Sequence, residues 1–277
     1  MVTVESHSDI PYAEVDGTTL TLDLHRPAVS GPVPVVAFLH GGAWQVGDKS
    51  DHAPERLLAL AAHGIAVASA NYRFAAQATY PAQVHDAKAV VRWIRGHGSE
   101  WDLATGRVGV WGASAGAYLA SMVGLTPGDD ELEGRVGENV DQPSDVQAVV
   151  SWFGQSDLVT NARRTWLEKE LLAPPVEQGL FGVDDVAAHA ETARMASPLF
   201  RVTPAAPPFL IAHGDRDRIT PSSESQALHD ALVRAGAPST FLLLGGAGHE
   251  GPEFDRPDHI AQTAAFLLSH LTEGAAA

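Results

Sequence analysis

The chain has 277 residues, 45% of them hydrophobic, enough to bury a sizeable core, and domains of roughly 100 to 200 residues would give one or two. Its formal net charge of -16 repels nucleic acid and anionic membrane surfaces and leaves neutral or cationic small molecules as the favoured ligands. The absence of cysteine excludes disulfides, thiol nucleophiles and thiolate metal sites.

No Pro/Gly/Ser-rich linker divides the sequence, so one domain spanning residues 1–277 is expected. Met1 to Glu14 mixes Glu5, His7, Asp9 and Pro11 with isolated apolar residues and lacks the basic start and apolar run of a secretory leader. The expectation is a cytoplasmic protein. No apolar stretch approaches the roughly 18 to 20 residues that cross a bilayer, so no membrane segment is expected.

In chain order, Tyr12 to Val15 and Thr18 to Leu24 flank Asp16-Gly17, a dipeptide suited to the positive φ angles of a tight hairpin. After the breaker run Pro27 to Pro34, Val35 to Leu39 is a continuous apolar segment, as expected of a strand covered on both faces, and it runs into His40-Gly41-Gly42-Ala43-Trp44. Helix and strand then alternate. Helical stretches are predicted at Pro54 to His63, Gln83 to Arg95, Ala117 to Leu125, Ser223 to Ala235 and Pro257 to Leu271. Strands are predicted at Ile65 to Ala70, Val108 to Trp111, Ala148 to Phe153, Phe209 to Ala212 and Thr240 to Leu244. This alternation gives an α/β class: a mostly parallel sheet with antiparallel N-terminal strands and helices on both faces.

Two stretches break the rhythm. Pro127 to Asp145 is rich in Gly, Asp and Glu with little periodicity and reads as a solvated acidic excursion. Gln155 to Pro208 separates two predicted strands by far more than the usual connection of about 4 to 6 residues. With helical pieces around Arg163 to Leu172 and Val183 to Met195, it reads as an inserted cap at about 155–208. The tail from Glu273 to Ala277 is expected to fray.

Chemistry concentrates at four places. Gly112-Ala113-Ser114-Ala115-Gly116 follows a predicted strand and precedes a predicted helix, the context of a G-x-S-x-G nucleophile elbow, in which small flanking residues avoid clashes between the two elements. A serine hydroxyl needs a base to accept its proton, and imidazole titrates near neutrality. Of the 13 histidines, His249 stands beyond the last predicted strand, on the flexible run Gly245-Gly246-Ala247-Gly248, whereas His259 and His270 fall on the closing helix. Activity is accordingly expected to fall in acid as His249 protonates. After the strand Phe209 to Ala212, His213-Gly214-Asp215-Arg216-Asp217 supplies two candidate acids. Asp217 is preferred; Asp215, next to the turn glycine, is expected to stabilise the loop through its backbone, and His213 to be a structural strand-end residue. The acid fixes the imidazole tautomer and stabilises the imidazolium. An oxyanion needs backbone donors, for which Gly42, Ala43 and Ala115 are the candidates, with Gly41 as the substitute if the loop is shifted by one residue. Trp44, beside that loop, and Trp166, in the inserted region, are the substrate-pocket candidates; Trp152, Phe153, Leu171, Leu172 and Phe181 are more often core.

These motifs, in this order, resemble the α/β-hydrolase superfamily, and more narrowly the bacterial feruloyl and acetyl esterase-like group related to hormone-sensitive-lipase-type esterases. Asn71-Tyr72-Arg73, Tyr80-Pro81-Ala82-Gln83 with Asp86, Arg107-Val108-Gly109-Val110-Trp111 and Ser197-Pro198-Leu199 look like that group as well, and the resemblance runs from about Val33 to Leu268. It implies an eight-stranded α/β-hydrolase fold and hydrolysis of small-molecule esters through an acyl-enzyme, without metal or organic cofactor. Ala43 stands where related esterases often carry a third glycine, and keeps its N-H; Ala117 stands where a glycine often follows the elbow, which would narrow the pocket beside the nucleophile. Two other readings stay open. His40-Gly41-Gly42-Ala43-Trp44 also resembles the oxyanion segment of arylformamidases, and a catalytically dead binding protein on the same fold would be expected to lack one of the three catalytic side chains. Metal-dependent hydrolysis lacks an H-E-x-x-H or comparable ligand spacing. No nucleic-acid or membrane partner is expected, and the oligomeric state is left as monomer or homodimer.

Overall fold

Asp16 and Gly17 take φ angles of 51° and 76°, both positive as a two-residue hairpin turn demands, and they join β1 (Val4–Val15) to β2 (Thr18–Pro27) with Val15 opposite Thr18. The computed structural model describes residues 2–162, 165, 167 and 176–272. Strand β1 starts well before Tyr12, because Val4 to His7 pair with His25 to Pro27 and their neighbours on β2.

The remaining strands are β3 (Val33–Leu39), β4 (Ala66–Ala70), β5 (Leu103–Ala113), β6 (Ala148–Trp152), β7 (Phe209–Gly214) and β8 (Ser239–Leu244). They form an eight-stranded sheet in the order β1-β2-β4-β3-β5-β6-β7-β8. The β1–β2 and β2–β4 pairs are antiparallel and the other pairs parallel. This is the α/β-hydrolase architecture expected from the sequence. The run expected to break structure from Pro27 to Pro34 is shorter, since β2 includes Pro27 and β3 begins at Val33.

Alternation along β3 shows why the parallel strands read as unbroken apolar runs. Val35, Ala37 and Leu39 face one core layer with Val84 and Val90 of helix α2 (Ala82–His97) and Leu119 and Val123 of helix α3 (Ala115–Leu125). Val36 and Phe38 face the other layer, with Leu57, Leu60, Ile260 and Leu267. Helices therefore cover both faces, and each fully buried aliphatic side chain contributes about 1.5–3 kcal/mol. The stretch predicted helical over Pro54 to His63 starts as a π-turn at Ala53–Leu57 before a single α-helical turn, Leu58–Ala61, here α1. The helices Ser223–Ala235 and Pro257–Leu271 keep the bounds that periodicity gave them. Among the described residues, no helix is long and apolar enough to cross a membrane.

The acidic stretch after Pro127 is more than a solvated excursion. It forms a short helix, Asp130–Glu133, and Glu133 accepts from Lys88 Nζ at 2.8 Å and Arg92 Nη1 at 3.2 Å, two cations that α2 carries into the interior. Burial lowers the Lys88 pKa and Glu133 works against it, so the acid offsets charge that α2 would otherwise bury unpaired. Between β6 and β7 the described helices are Leu158–Ala162, Val176–Phe181 and Ala190–Met195, the last preceded by a 3-10 turn at Val186–His189. The helical piece predicted around Arg163 to Leu172 lies outside the described residues apart from 165 and 167, as does the tail from Glu273.

His259 gives the fold a pH dependence. Packed between Trp152 and Phe254 at ring distances of 4.8 and 5.8 Å, it is pushed down to about 4 by burial, with Asp258 opposing. Its depressed value means that the unfolded chain takes up the proton first as pH falls. The contribution to stability is complete above the ordinary imidazole value and is lost from about pH 6.5 down to about pH 4. The expected loss is about 2 kcal/mol between about pH 7 and pH 5. Denaturant titrations at the two pH values check it: a His259→Leu variant is expected to show a smaller loss than the native chain, and an equal loss contradicts the assignment.

Candidate active site

The parallel register sets the carboxyl ends of five strands side by side. Leu39 pairs with Gly112, Ala113 with Trp152, Trp152 with Ala212, and Gly214 with Leu244. The segments that follow, His40 to Trp44, Ser114, Asp215 to Asp217 and Gly245 to His249, therefore leave the same edge of the sheet. Strand order reverses at β3 and β5, where the chain first moves to β4 and later resumes on the opposite side, and such a switch point opens a crevice beyond the strand ends.

Ser114 sits in that crevice with φ 54° and ψ -117°, a strained conformation for a non-glycine residue. Its N-H donates to the Trp152 carbonyl at 2.9 Å, and its carbonyl accepts from Tyr118 N at 3.1 Å, so the sharp turn is tied to β6 and to α3. The neighbouring glycines are steric necessities. A Cβ on Gly116 would lie 1.9 Å from the Leu39 carbonyl oxygen, and one on Gly112 would lie 2.1 Å from that of Gly116.

Three side chains from distant parts of the chain meet here. Ser114 Oγ lies 2.9 Å from His249 Nε2, and His249 Nδ1 lies 2.7 Å from Asp217 Oδ2. Because an ionised carboxylate only accepts, Nδ1 carries the ring hydrogen, and Nε2 is left to accept from the serine hydroxyl. Phe153 packs edge-on against the His249 ring at 4.9 Å. Asp217 Oδ1 accepts from the N-H groups of Ile219 and Thr220, each at 2.9 Å, while Oδ2 accepts from His249 and from His213 at 3.1 Å. Burial works to raise the Asp217 pKa, but donors from His213 and His249 overcome it and hold the group well below the usual carboxylate range. It is a fixed anion at any pH near neutrality.

His213 is thus more than the strand-end residue expected from the sequence. The signal was its i,i+4 spacing to Asp217, which becomes informative only once the intervening turn is known. Asp215 ties the loop through its backbone, as expected, with its N-H donating to the Leu244 carbonyl at 3.1 Å, and its carboxylate adds a second tie, with Oδ1 accepting from Gly246 N at 2.7 Å.

The loop that holds the candidate oxyanion donors approaches Ser114 at Gly41. A Cβ added at Gly41 would stand 3.4 Å from Ser114 Cβ. Gly42 has φ 112°, and its carbonyl accepts from Gln45 N at 2.9 Å and Val46 N at 3.1 Å; a Cβ there would lie 2.0 Å from the Val46 carbonyl oxygen. Only glycine closes this turn. Ala43 follows with φ 55°, at a conformational cost of about 1–2 kcal/mol. Ala115 opens α3, where the first backbone N-H groups have no intrahelical acceptor and the helix dipole favours negative charge. The loop is steadied by His40, whose carbonyl accepts from Tyr72 OH at 3.0 Å and whose ring stacks on Tyr72 at 4.5 Å.

Two expectations about the pocket need correction. Trp44 is 1% exposed and packs edge-on against Tyr118 at 5.2 Å, so it belongs to the core under the Gly41-Gly42 turn rather than to a pocket wall. Ala117 is fully buried and does not narrow the pocket: it faces Gly154, where a Cβ would lie 2.8 Å from its own, so glycine on the β6 loop makes room for the methyl. Trp152 and Phe153 are core residues, and Phe181 packs against Tyr80 at 5.7 Å. Trp166, Leu171 and Leu172 lie outside the described residues.

Behind His249, Arg56 is 1% exposed; its Nε and Nη2 donate to Asp255 at 2.7 and 3.0 Å, and its Nη1 donates to Glu250 at 3.4 Å. Among the described residues, His52, Glu55 and Asp255 could bring ligand atoms within 4.8 Å of one another around a metal ion. Both Asp255 oxygens are already taken by Arg56, which makes this a poor cation site.

The chain is 33% identical over 225 residues to Esterase LipC and 32% identical over 249 residues to Esterase LipQ, both of Mycobacterium tuberculosis. These alignments cover 79% and 87% of this chain, and 53% and 56% of the relatives, so the chain spans about half the length of the curated relatives it matches. The solved structure of a truncated carbohydrate esterase from gut microbiota superposes with a TM-score of 0.86 at 27% identity, covering 97% of each chain. The BD-FAE family model matches residues 22–232, a span that holds His40 to Trp44, Ser114 and Asp217 and stops short of His249, and on that match the chain belongs to the BD-FAE family.

Proposed function

We propose that the chain is a serine carboxylic ester hydrolase that works through an acyl-enzyme on small to medium acyl or aryl esters, with Ser114 as nucleophile, His249 as general base and Asp217 as the orienting acid. The observation that carries this reading is the hydrogen-bonded chain from Ser114 Oγ through His249 to Asp217 beside the Gly42–Ala43 turn. The names of the relatives LipC and LipQ agree with it.

In the first step His249 Nε2 accepts the Ser114 proton while Oγ attacks the ester carbonyl carbon. Negative charge gathers on the carbonyl oxygen, facing the N-H groups of Gly42, Ala43 and Ala115, each of which is worth about 2.7–4 kcal/mol if aimed at the oxyanion. The carbon–oxygen bond to the alcohol breaks and the alcohol leaves with the proton held by His249. Water then attacks the acyl-serine, giving a proton to His249; collapse returns it to Ser114 and releases the acid. Asp217, anionic throughout, stabilises the imidazolium in both steps. The segment from Gln155 to Pro208, leaving the sheet beside the crevice, is read as the cap over the acyl or aryl group, and the protein as one catalytic domain, monomeric or homodimeric.

A panel of p-nitrophenyl esters of increasing acyl length, run beside a feruloyl ester, an acetylated sugar and a formanilide, tests the reaction class. At least one ester is expected to give kcat/KM of about 10⁴ M⁻¹s⁻¹ or more, with the formanilide well below. Turnover of the formanilide above every ester would replace this reading with the arylformamidase one.

A further inference from the structure

We infer that His213 is a positioning residue for the proposed hydrolysis, holding Asp217 Oδ2 as a second imidazole donor beside His249. The inference rests on the reading of Ser114, His249 and Asp217 given above. His213 is fully buried at the end of β7, and each of its ring nitrogens has a polar partner. Its Nε2 lies 2.8 Å from the Thr220 carbonyl oxygen and 3.1 Å from Asp217 Oδ2, and its Nδ1 lies 2.7 Å from Ser225 Oγ. A carbonyl oxygen only accepts, so Nε2 carries a hydrogen, and that N-H is forked between Thr220 and Asp217.

The Asp217 carboxylate then has four donors: two backbone N-H groups on Oδ1 and two imidazoles on Oδ2. With the Oδ1 donors alone, Oδ2 could still swing out of line with His249 Nδ1. The second imidazole removes that freedom, and Ser225 in turn fixes the His213 ring from the first turn of the Ser223–Ala235 helix. A filler at this corner could be apolar; a buried imidazole with three polar partners is costly unless each contact is kept.

Glutamine and asparagine separate the two roles. The glutamine amide nitrogen reaches the position of Nε2 and can donate to Thr220 and Asp217, whereas asparagine reaches only the position of Nδ1 and Ser225. Steady-state kinetics on p-nitrophenyl acetate for the full chain and its His213→Gln, His213→Asn and His213→Leu variants, with melting temperatures alongside, form one arm. Leucine and asparagine are expected to lower kcat about 10- to 100-fold with KM within about twofold, and glutamine to recover most of the loss. Equal losses for glutamine and asparagine, or a loss in KM alone, would overturn the inference. Long-range ¹H–¹⁵N correlation spectra of the native chain form the other arm, independent of whether any variant folds: Nε2 of His213 is expected to be protonated, and a bare Nε2 is incompatible with the clamp. Covalent labelling of Ser114 by a fluorophosphonate separates the two levels. A chain that labels at Ser114 but is indifferent to His213 loses only this inference; one that does not label there loses the underlying reading.

Discussion

Replacing Ser114 with alanine is expected to lower kcat/KM toward activated esters by about 10⁵-fold while the chain keeps its melting temperature to within a few degrees. The activity loss follows from geometry: Oγ is the atom that His249 Nε2 faces at 2.9 Å. The alanine methyl leaves His249, Asp217 and the proposed oxyanion donors in place but gives them no nucleophile to act on, and the residual catalysis they offer over water, about 10³–10⁴-fold, falls far short of that of an intact triad. Stability holds because what ties this residue into the fold is its backbone, through Trp152 and Tyr118, and because alanine meets the same positive φ as serine. Ester turnover and thermal melts on the same preparation check both halves; a variant that stays folded and active would remove Ser114 from the reaction.

Asp217→Asn is expected to cost about 10⁴-fold in kcat with little change in KM. Oδ1 of the carboxylate accepts two backbone N-H groups, so the asparagine oxygen must stay on that side and its NH₂ must take the place of Oδ2. That NH₂ then faces His249 Nδ1 as a donor. The favoured imidazole tautomer reverses, the ring hydrogen moves to Nε2, and Nε2 can no longer accept from Ser114. The same NH₂ also opposes His213 Nε2, which is committed as a donor to Thr220 at 2.8 Å, so two donors compete where one acceptor stood. Rate measurements above pH 9, where a weakened base regains some advantage, should narrow the gap without closing it. A loss confined to KM would mean that Asp217 shapes the pocket rather than the imidazole.

The fold was legible because its signals are local or periodic. Unbroken apolar runs such as Val35 to Leu39 announce strands buried on both faces, the Asp16-Gly17 turn announces the hairpin, and the helices at Ser223 and Pro257 carry their limits in their own sequence. The elbow was legible for the same reason: Gly112 and Gly116 are required by contacts within a few residues or with the end of β3. The positions of Ser114, Asp217 and His249 followed from strand order, and the structure brings the three side chains into one hydrogen-bonded chain.

What stayed hidden depended on pairs distant in sequence. Nothing near Ala117 reveals that Gly154 stands opposite it, and nothing near Glu133 reveals that Lys88 and Arg92 arrive from α2 to meet it. Trp44 looked like a pocket wall because it adjoins the candidate oxyanion loop, yet its φ of 60° accompanies an indole packed inward onto Tyr118. His213 was hidden in another way: its partners Asp217, Thr220 and Ser225 are near in sequence, but only the folded turn shows them converging on one ring.

The most direct test of the hydroxyl–imidazole–carboxylate relay is intact-mass analysis after treatment with a fluorophosphonate, followed by peptide mapping. An activated serine displaces fluoride and retains the phosphonyl group, so a single adduct on the peptide containing Ser114 is expected, abolished in Ser114→Ala and strongly slowed in Asp217→Asn. A native chain that gains no adduct, or gains one that survives the serine replacement, would contradict the account.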